Sequence, residues 1–422
     1  MKNCCYLILF LLIIFAGCKE DSTGNQTSEI DPVLMEKANE LAHKYIITDG
    51  HVDLPYRMRV MNFRLQREYL DFAVPTGEGD FDFERAKEGG LDAPFMSIYI
   101  PSENQKTPGS SKILADTLID MVEGVVSKYP DKFALAKTPK DVQANFEKGL
   151  ISLPMGMENG APVETDIANV AYFHQRGIRY ITLTHGKDNQ ICDSSYDTTY
   201  TWNGLSPFGE EVVAEMNRVG IMVDISHVSD STFYDVIKLT KAPVIASHSS
   251  CRKFTPGFER NMNDEMIKLL GENGGVIQIN FGSSFLDEKV RDADDKRRKE
   301  IRKWAKENNV KREDSAYQVY AREYREKNGP NYADISIVAD HIDHVVKLAG
   351  VDHVGLGSDF DGVGDSLPVG LKDVSDYPNL IYELLKRGYT DEDIEKICYK
   401  NVFRVWNQVE ETAQTLQAQS AG

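Results

Sequence analysis

The sequence predicts an α/β fold, a (β/α)8 or TIM barrel, and three observations carry that expectation. Eight short apolar runs recur between residues 46 and 359. Helix-like stretches separate them, the alternation required by a parallel sheet whose strands are buried on both faces. Most runs also end on a polar residue able to do chemistry, and in a barrel the carboxyl ends of the strands converge on one mouth.

The first run, 46–48, leads into His51 and Asp53; the second spans 94–100; the third, 151–157, ends at Glu158; the fourth, 178–184, ends at His185. The remaining four are 221–226 ending at His227, 243–247 ending at His248, 275–279 ending at Asn280, and 353–358 ending at Asp359. A helix is expected over 33–45, where Asp31 can cap and Pro32 suits the first turn. Further helices are expected over 111–126, 166–175, 207–219, 229–239, 264–270, 335–348 and 378–386. Gly220 and Gly350 stand where two of them must stop. Residues 286–328 break the rhythm with charge runs such as Lys296-Arg297-Arg298-Lys299-Glu300. They read as a charged helical insertion after strand seven, one or two solvated helices, with a partner surface or substrate gate as the alternative.

The 422 residues exceed the usual single domain, but α/β barrels run long, so one domain is expected over 31–412 with a polar tail at 413–422. Hydrophobic residues at 41% against 27% charged exclude a disordered or fibrous chain. A net charge of −18, with no basic stripe outside the insertion, argues against a nucleic-acid partner. Ahead of the domain, Lys2 precedes 11 apolar residues at 6–16, too few to span a bilayer comfortably. Phe15-Ala16-Gly17-Cys18 resembles a bacterial lipoprotein box. On that reading 1–17 is a signal peptide, Cys18 is lipidated, and 18–30 is a flexible tether holding the protein to the cell envelope, on its periplasmic or outer-surface side. An ordinary secretory signal or a membrane-anchor helix is the alternative. Cys192, Cys251 and Cys398 fit no zinc spacing and are expected to be buried and chemically quiet.

His51 and Asp53, one residue apart at a strand end, point to the same side, although a capping role explains such a triplet as readily. Glu158 alone on its Gly-flanked turn would be a helix cap or ion-pair partner, and a single strand-end His is more often a satisfied core residue. His227 and His248 on consecutive strands weaken that bland reading. Together His51, Asp53, Glu158, His227, His248 and Asp359 supply three imidazoles and three carboxylates at five strand ends. That inventory suits two divalent ions bridged by a carboxylate, with zinc favoured by mixed N and O ligation. His341, His344 and His353 fall on a helix and at a strand start, the wrong end for chemistry, and are read as structural.

Between Asp49 and Glu411 the chain resembles the membrane (renal) dipeptidase family, as a bacterial lipoprotein member. The resemblance is carried by Asp49-Gly50-His51-Val52-Asp53-Leu54-Pro55, Leu183-Thr184-His185, Asp224-Ile225-Ser226-His227-Val228-Ser229, Ser247-His248-Ser249-Ser250, Arg260-Asn261 and Gly357-Ser358-Asp359-Phe360-Asp361-Gly362, in that order. It implies a metal-dependent hydrolase with two Zn2+ per chain: His51 and Asp53 on one, His227 and His248 on the other, and Glu158 bridging both. It further implies that His185 stabilises the oxyanion, that Arg260 pairs with the terminal carboxylate of a dipeptide, and that Asp359 handles protons and contacts the free amine. Dipeptides are the implied substrates, with acceptance of a D-residue at the carboxyl side left open, and a homodimer the implied assembly. Arg260 could instead be a surface ion-pair residue. The insertion is longer than in animal members of that family, which leaves substrate preference open. The competing functions are another binuclear amidohydrolase such as a lactonase, in which a lysine at the fourth strand bridges the metals, whereas here His185 stands there, Lys187 lies two residues beyond and Glu158 serves the bridge better, and a non-catalytic peptide-binding lipoprotein.

Overall fold

The computed structural model describes residues 30–65, 79–312, 314–329 and 331–421; the expected signal peptide, Cys18 and nearly all of the tether lie outside the described residues. Among the described residues no helix is long and apolar enough to cross a membrane. The strands are β1 (Ile47–Val52), β2 (Leu91–Tyr99), β3 (Phe133–Leu135), β4 (Ile151–Leu153), β5 (Met155–Glu158), β6 (Ile178–Thr182), β7 (Met222–Asp224), β8 (Ile245–Ser249), β9 (Val276–Ile279) and β10 (Val354–Leu356). Eight of them close a barrel in the order β1-β10-β9-β8-β7-β6-β5-β2, every neighbouring pair parallel. The eight-stranded α/β barrel expected from the sequence is therefore the fold.

One run was misjudged. Residues 151–157 are two strands rather than one, because Pro154 has no amide hydrogen to continue a ladder. Before it, β4 pairs with β3 in a separate two-stranded sheet; after it, β5 enters the barrel between β2 and β6. The expected helices are all present within a few residues, including Pro207–Val219, which stops at Gly220 with φ 90°. The insertion forms two helices, Glu288–Glu307 and Ser315–Asn328, joined face to face by Trp304 stacked on Tyr320 at 4.0 Å. The tail is a continuation of the helix Asn401–Ala421, one of several helices that the sequence reading did not name.

Side chains alternate across each strand, so β5 sends Met155 and Met157 outward into the shell between strands and helices while Gly156 and Glu158 face the axis. Inside, Phe95, Tyr180, Met222, Ile245 and Val276 form a second cluster, closed from the amino-terminal end by Trp406 of the last helix. Tyr180 fits because Gly156 has no side chain: a Cβ there would meet its ring at 1.9 Å. Cys192, Cys251 and Cys398 are buried and unpaired, and burial pushes the Cys398 thiol up to about 12. His341, His344 and His353 make only structural contacts, to Cys251 N and Leu286 O, to Asp264, and to Gly275 O.

At the opposite end from the site, the Asp92 carboxyl is 4% exposed and accepts from the Ile47 amide at 3.3 Å. Burial pushes it up to about 7 from an ordinary 3.8. The folded state thus binds this proton more tightly than the unfolded chain, so the group costs nothing below about pH 4 and destabilises increasingly as pH rises towards 7. Asp92→Asn is expected to raise Tm at pH 8 by the equivalent of at most roughly 4 kcal/mol. Calorimetry should find the two proteins converging near pH 4, and a parallel pH dependence would contradict the assignment.

Candidate metal centre

The barrel mouth gathers residues from five strands around one carboxylate. Glu158 is the last residue of β5, 3% exposed. Its Oε2 faces His51 Nε2 from β1 at 3.4 Å, and its Oε1 faces His227 Nε2 after β7 at 3.0 Å and His248 Nε2 from β8 at 3.3 Å. His185, three residues beyond β6, brings Nε2 to 3.6 Å of Oε1 from the open side, its side chain 24% exposed. Asp53 Oδ1 lies 3.5 Å from His51 Nε2, and the Asp359 carboxyl follows β10 on the same side, held by Asn280 Nδ2 at 2.8 Å. All six strand-end residues chosen from the sequence therefore meet, together with His185.

The surrounding charges explain the protonation states. Burial disfavours a charged Glu158, yet His51, His185 and the bonds from His227 and His248 hold it well below the usual carboxylate range. Burial drives His227 and His248 well below the ordinary imidazole value, which leaves neutral rings with a nitrogen free to bind a cation. Burial also lowers His51, but Tyr180, Glu158 and Asp53 more than compensate and raise it. The Asp359 carboxyl is pushed up to about 7, first by burial and then by Asp53 and Glu158.

The residues fit a metal. The buried His51 Nε2 and Asp53 Oδ1 have no hydrogen-bond partner. His227 and His248 point their Nε2 atoms at each other across 2.9 Å, an arrangement suited to a cation shared between lone pairs. Three overlapping groups, His51/Glu158/His248, Glu158/His185/His227 and His51/Asp53/Asp359, each bring their ligand atoms within 4.8 Å. Lys187, by contrast, is directed away: its side chain is 60% exposed and its ammonium pairs with Asp197.

Arg260 is not a surface residue. It is 3% exposed and stacks over Phe285 at 5.5 Å. Its Nη1 and Nη2 donate to Ser249 Oγ at 2.6 Å and the His248 carbonyl at 2.7 Å, while Nε has no partner. Phe258 and Tyr196 continue this wall towards His227. Sequence reasoning missed what holds the cluster: Tyr180 behind His51, Asp224 and Ser247 behind His248, Asn280 beside Asp359, and Asp49, which accepts from the His51 and Ser358 amides at 2.9 Å each. Asp224 carried a signal, being a polar residue inside the otherwise apolar run 221–226, and Asp49 follows directly on the run 46–48. Tyr180 carried none.

Residues 35–420 match the membrane dipeptidase family, peptidase family M19. Over 387 residues the chain is 35% identical to a protein described as an uncharacterized dipeptidase of Schizosaccharomyces pombe, covering 89% of this chain and 83% of that one. The structure of the probable dipeptidase PvdM from Pseudomonas aeruginosa superposes with a TM-score of 0.77 at 26% identity, over 90% of this chain and 99% of that one. A structure described as dipeptidase AC, a metallopeptidase of family M19, gives 0.69 at 25% identity over 86% and 99%. The chain belongs to the membrane dipeptidase family and is a metallo-dipeptidase, a hydrolase that acts on peptide bonds.

Proposed function

We propose that the protein hydrolyses free dipeptides with two zinc ions, one held by His51 and Asp53, the other by His227 and His248, with Glu158 between them. The observation that carries this reading is the division of the Glu158 carboxylate: Oε2 faces the His51 side and Oε1 the His227 and His248 side. When bound, such a pair supplies the positive charge that polarises a peptide carbonyl and activates water.

The chain's own residues do the rest. His185 stands over Glu158 at the open edge, placed to donate a hydrogen bond to charge developing on the carbonyl oxygen. The Arg260 guanidinium, with no carboxylate partner among the described residues, supplies a buried positive charge for the substrate's terminal carboxylate. Asp359, held by Asn280 on the same side as Asp53, is the carboxyl we assign to proton handling and to contact with the substrate's free amine. Reading both termini limits cleavage to short free peptides.

We further place the mature protein on the cell envelope through a lipid on Cys18, a reading supported by the apolar run at 6–16 and the Phe15-Ala16-Gly17-Cys18 box. Labelled palmitate should enter the native protein and not a Cys18→Ala variant; equal labelling would exclude this anchor.

Zinc-loaded protein is expected to cleave L,L and L,D dipeptides and to spare tripeptides, N-blocked and C-amidated substrates. Turnover of blocked substrates at comparable rates would overturn the role given to the two charged termini. His185→Ala should lower kcat by roughly 10²–10³-fold with its metal retained, whereas Arg260→Ala should act mainly through KM. Unchanged steady-state constants in either variant would remove that residue from the mechanism.

A further inference from the structure

A neutral imidazole carries one proton, and only its bare nitrogen can bind a cation. Which nitrogen is bare depends on what stands behind the ring. Behind His51, Nδ1 lies 2.8 Å from the Tyr180 hydroxyl oxygen, while the Tyr180 hydroxyl lies 3.1 Å from the Gly50 carbonyl. A carbonyl can only accept, so the tyrosine proton goes to Gly50, and the tyrosine oxygen must accept from His51. In the neutral ring that binding a cation requires, His51 therefore keeps its proton on Nδ1 and offers the cation Nε2, on the side of Asp53 and Glu158.

The same logic recurs behind His248 with different residues. Its Nδ1 lies 2.7 Å from Ser247 Oγ, which gives its own proton to Asp224 Oδ2 at 2.6 Å. Asp224 accepts on every side, from the Ser226 amide at 3.0 Å, the Ser247 amide at 2.8 Å and the Thr182 hydroxyl. Ser247 can therefore only accept from His248, which fixes that proton on Nδ1 as well. His227 is oriented instead by its backbone, with φ 68° and a carbonyl that takes the Ser195 amide at 2.8 Å.

We propose that Tyr180 and the Asp224–Ser247 pair are positioning residues, which hold His51 and His248 in the Nδ1–H tautomer and so set the affinity of the two halves of the metal centre. The proposal rests on the two-ion reading above. Both devices belong to the barrel's inner layer: Tyr180 and Thr182 come from β6, Asp224 from β7 and Ser247 from β8. Neither relay reaches solvent, since Tyr180, Asp224 and Ser247 are all fully buried. Loss of the Tyr180 hydroxyl would let His51 place its proton on either nitrogen, and loss of the Ser247 hydroxyl would do the same for His248.

The test is competition for zinc, and separately for cobalt, against a chromophoric chelator, using the full mature protein and its Tyr180→Phe and Ser247→Ala variants. The native protein is expected to bind two ions. Each variant should keep one ion at native affinity and lose roughly 10–100-fold in affinity for the other, and the absorption bands of the cobalt forms should differ between the two variants. A purely structural role would instead lower the melting temperature of the metal-free variants and leave zinc affinity and cobalt bands as in the native protein. That result, with two ions still bound by the native protein, would overturn the proposal alone. A native protein that binds fewer than two ions would overturn the reading beneath it. Should Tyr180→Phe fail to fold, Ser247→Ala decides the matter by the same criteria.

Discussion

The buried negative charge of Glu158 is the constraint on which the rest of the mouth depends. A carboxylate at 3% exposure is costly to ionise unless opposite charge or donors surround it. Here four imidazoles approach within 3.6 Å, from β1 and from the ends of β6, β7 and β8. Three of those rings are themselves almost fully buried, so the carboxylate and the imidazoles are mutually dependent: removing either leaves the other unpaired inside the barrel. A cation between them satisfies both at once, which is why a metal centre suits this cluster better than a set of hydrogen bonds.

The backbone is bent to serve that arrangement. Of the non-glycine residues with positive φ, Asn159 follows Glu158 directly, His227 is a ligand candidate, and Asp359 and Asp361 flank the end of β10. Left-handed backbone costs such residues on the order of 1–3 kcal/mol each, and these four sit at the carboxyl ends of three barrel strands. The surroundings hold them in place: Asn159 donates to the Ile100 carbonyl and accepts from the Ala161 amide, and Asp361 takes the Arg57 guanidinium at 2.6 Å and the Asp80 amide at 2.8 Å.

The insertion reaches the pocket wall through Arg291. Arg291, early in the helix Glu288–Glu307, lies over the Phe258 ring at 5.2 Å and donates to the Pro256 carbonyl at 3.1 Å, while Phe258 packs on Phe285, the ring beneath Arg260. The rest of the two helices is mostly solvated and charged, as expected from their alternating sequence. The long excursion after β9 therefore borders the wall that carries Arg260.

Periodicity and order of residues alone determined a great deal: eight barrel strands, their succession, the family, and six side chains of the centre, because strand ends in a parallel barrel must share one mouth and each apolar run supplies one strand to the barrel. Local rules also placed the helix starts and stops at Asp31, Gly220 and the charged insertion. The tertiary structure decided what depends on partners distant in sequence. Pro154 splits a run that reads as continuous, since only pairing shows that β4 and β5 belong to different sheets. Arg260 is buried against β8 rather than exposed, since nothing in its neighbours announces the Ser249 and His248 acceptors. The tautomers of His51 and His248 were likewise illegible: they depend on the acceptors behind each ring, the Tyr180 hydroxyl oxygen 129 residues away for His51 and, for His248, a Ser247 hydroxyl whose own proton goes to Asp224 on another strand. A hydrogen bond has direction as well as partners, and only the closed barrel brings donor and acceptor together in a fixed geometry.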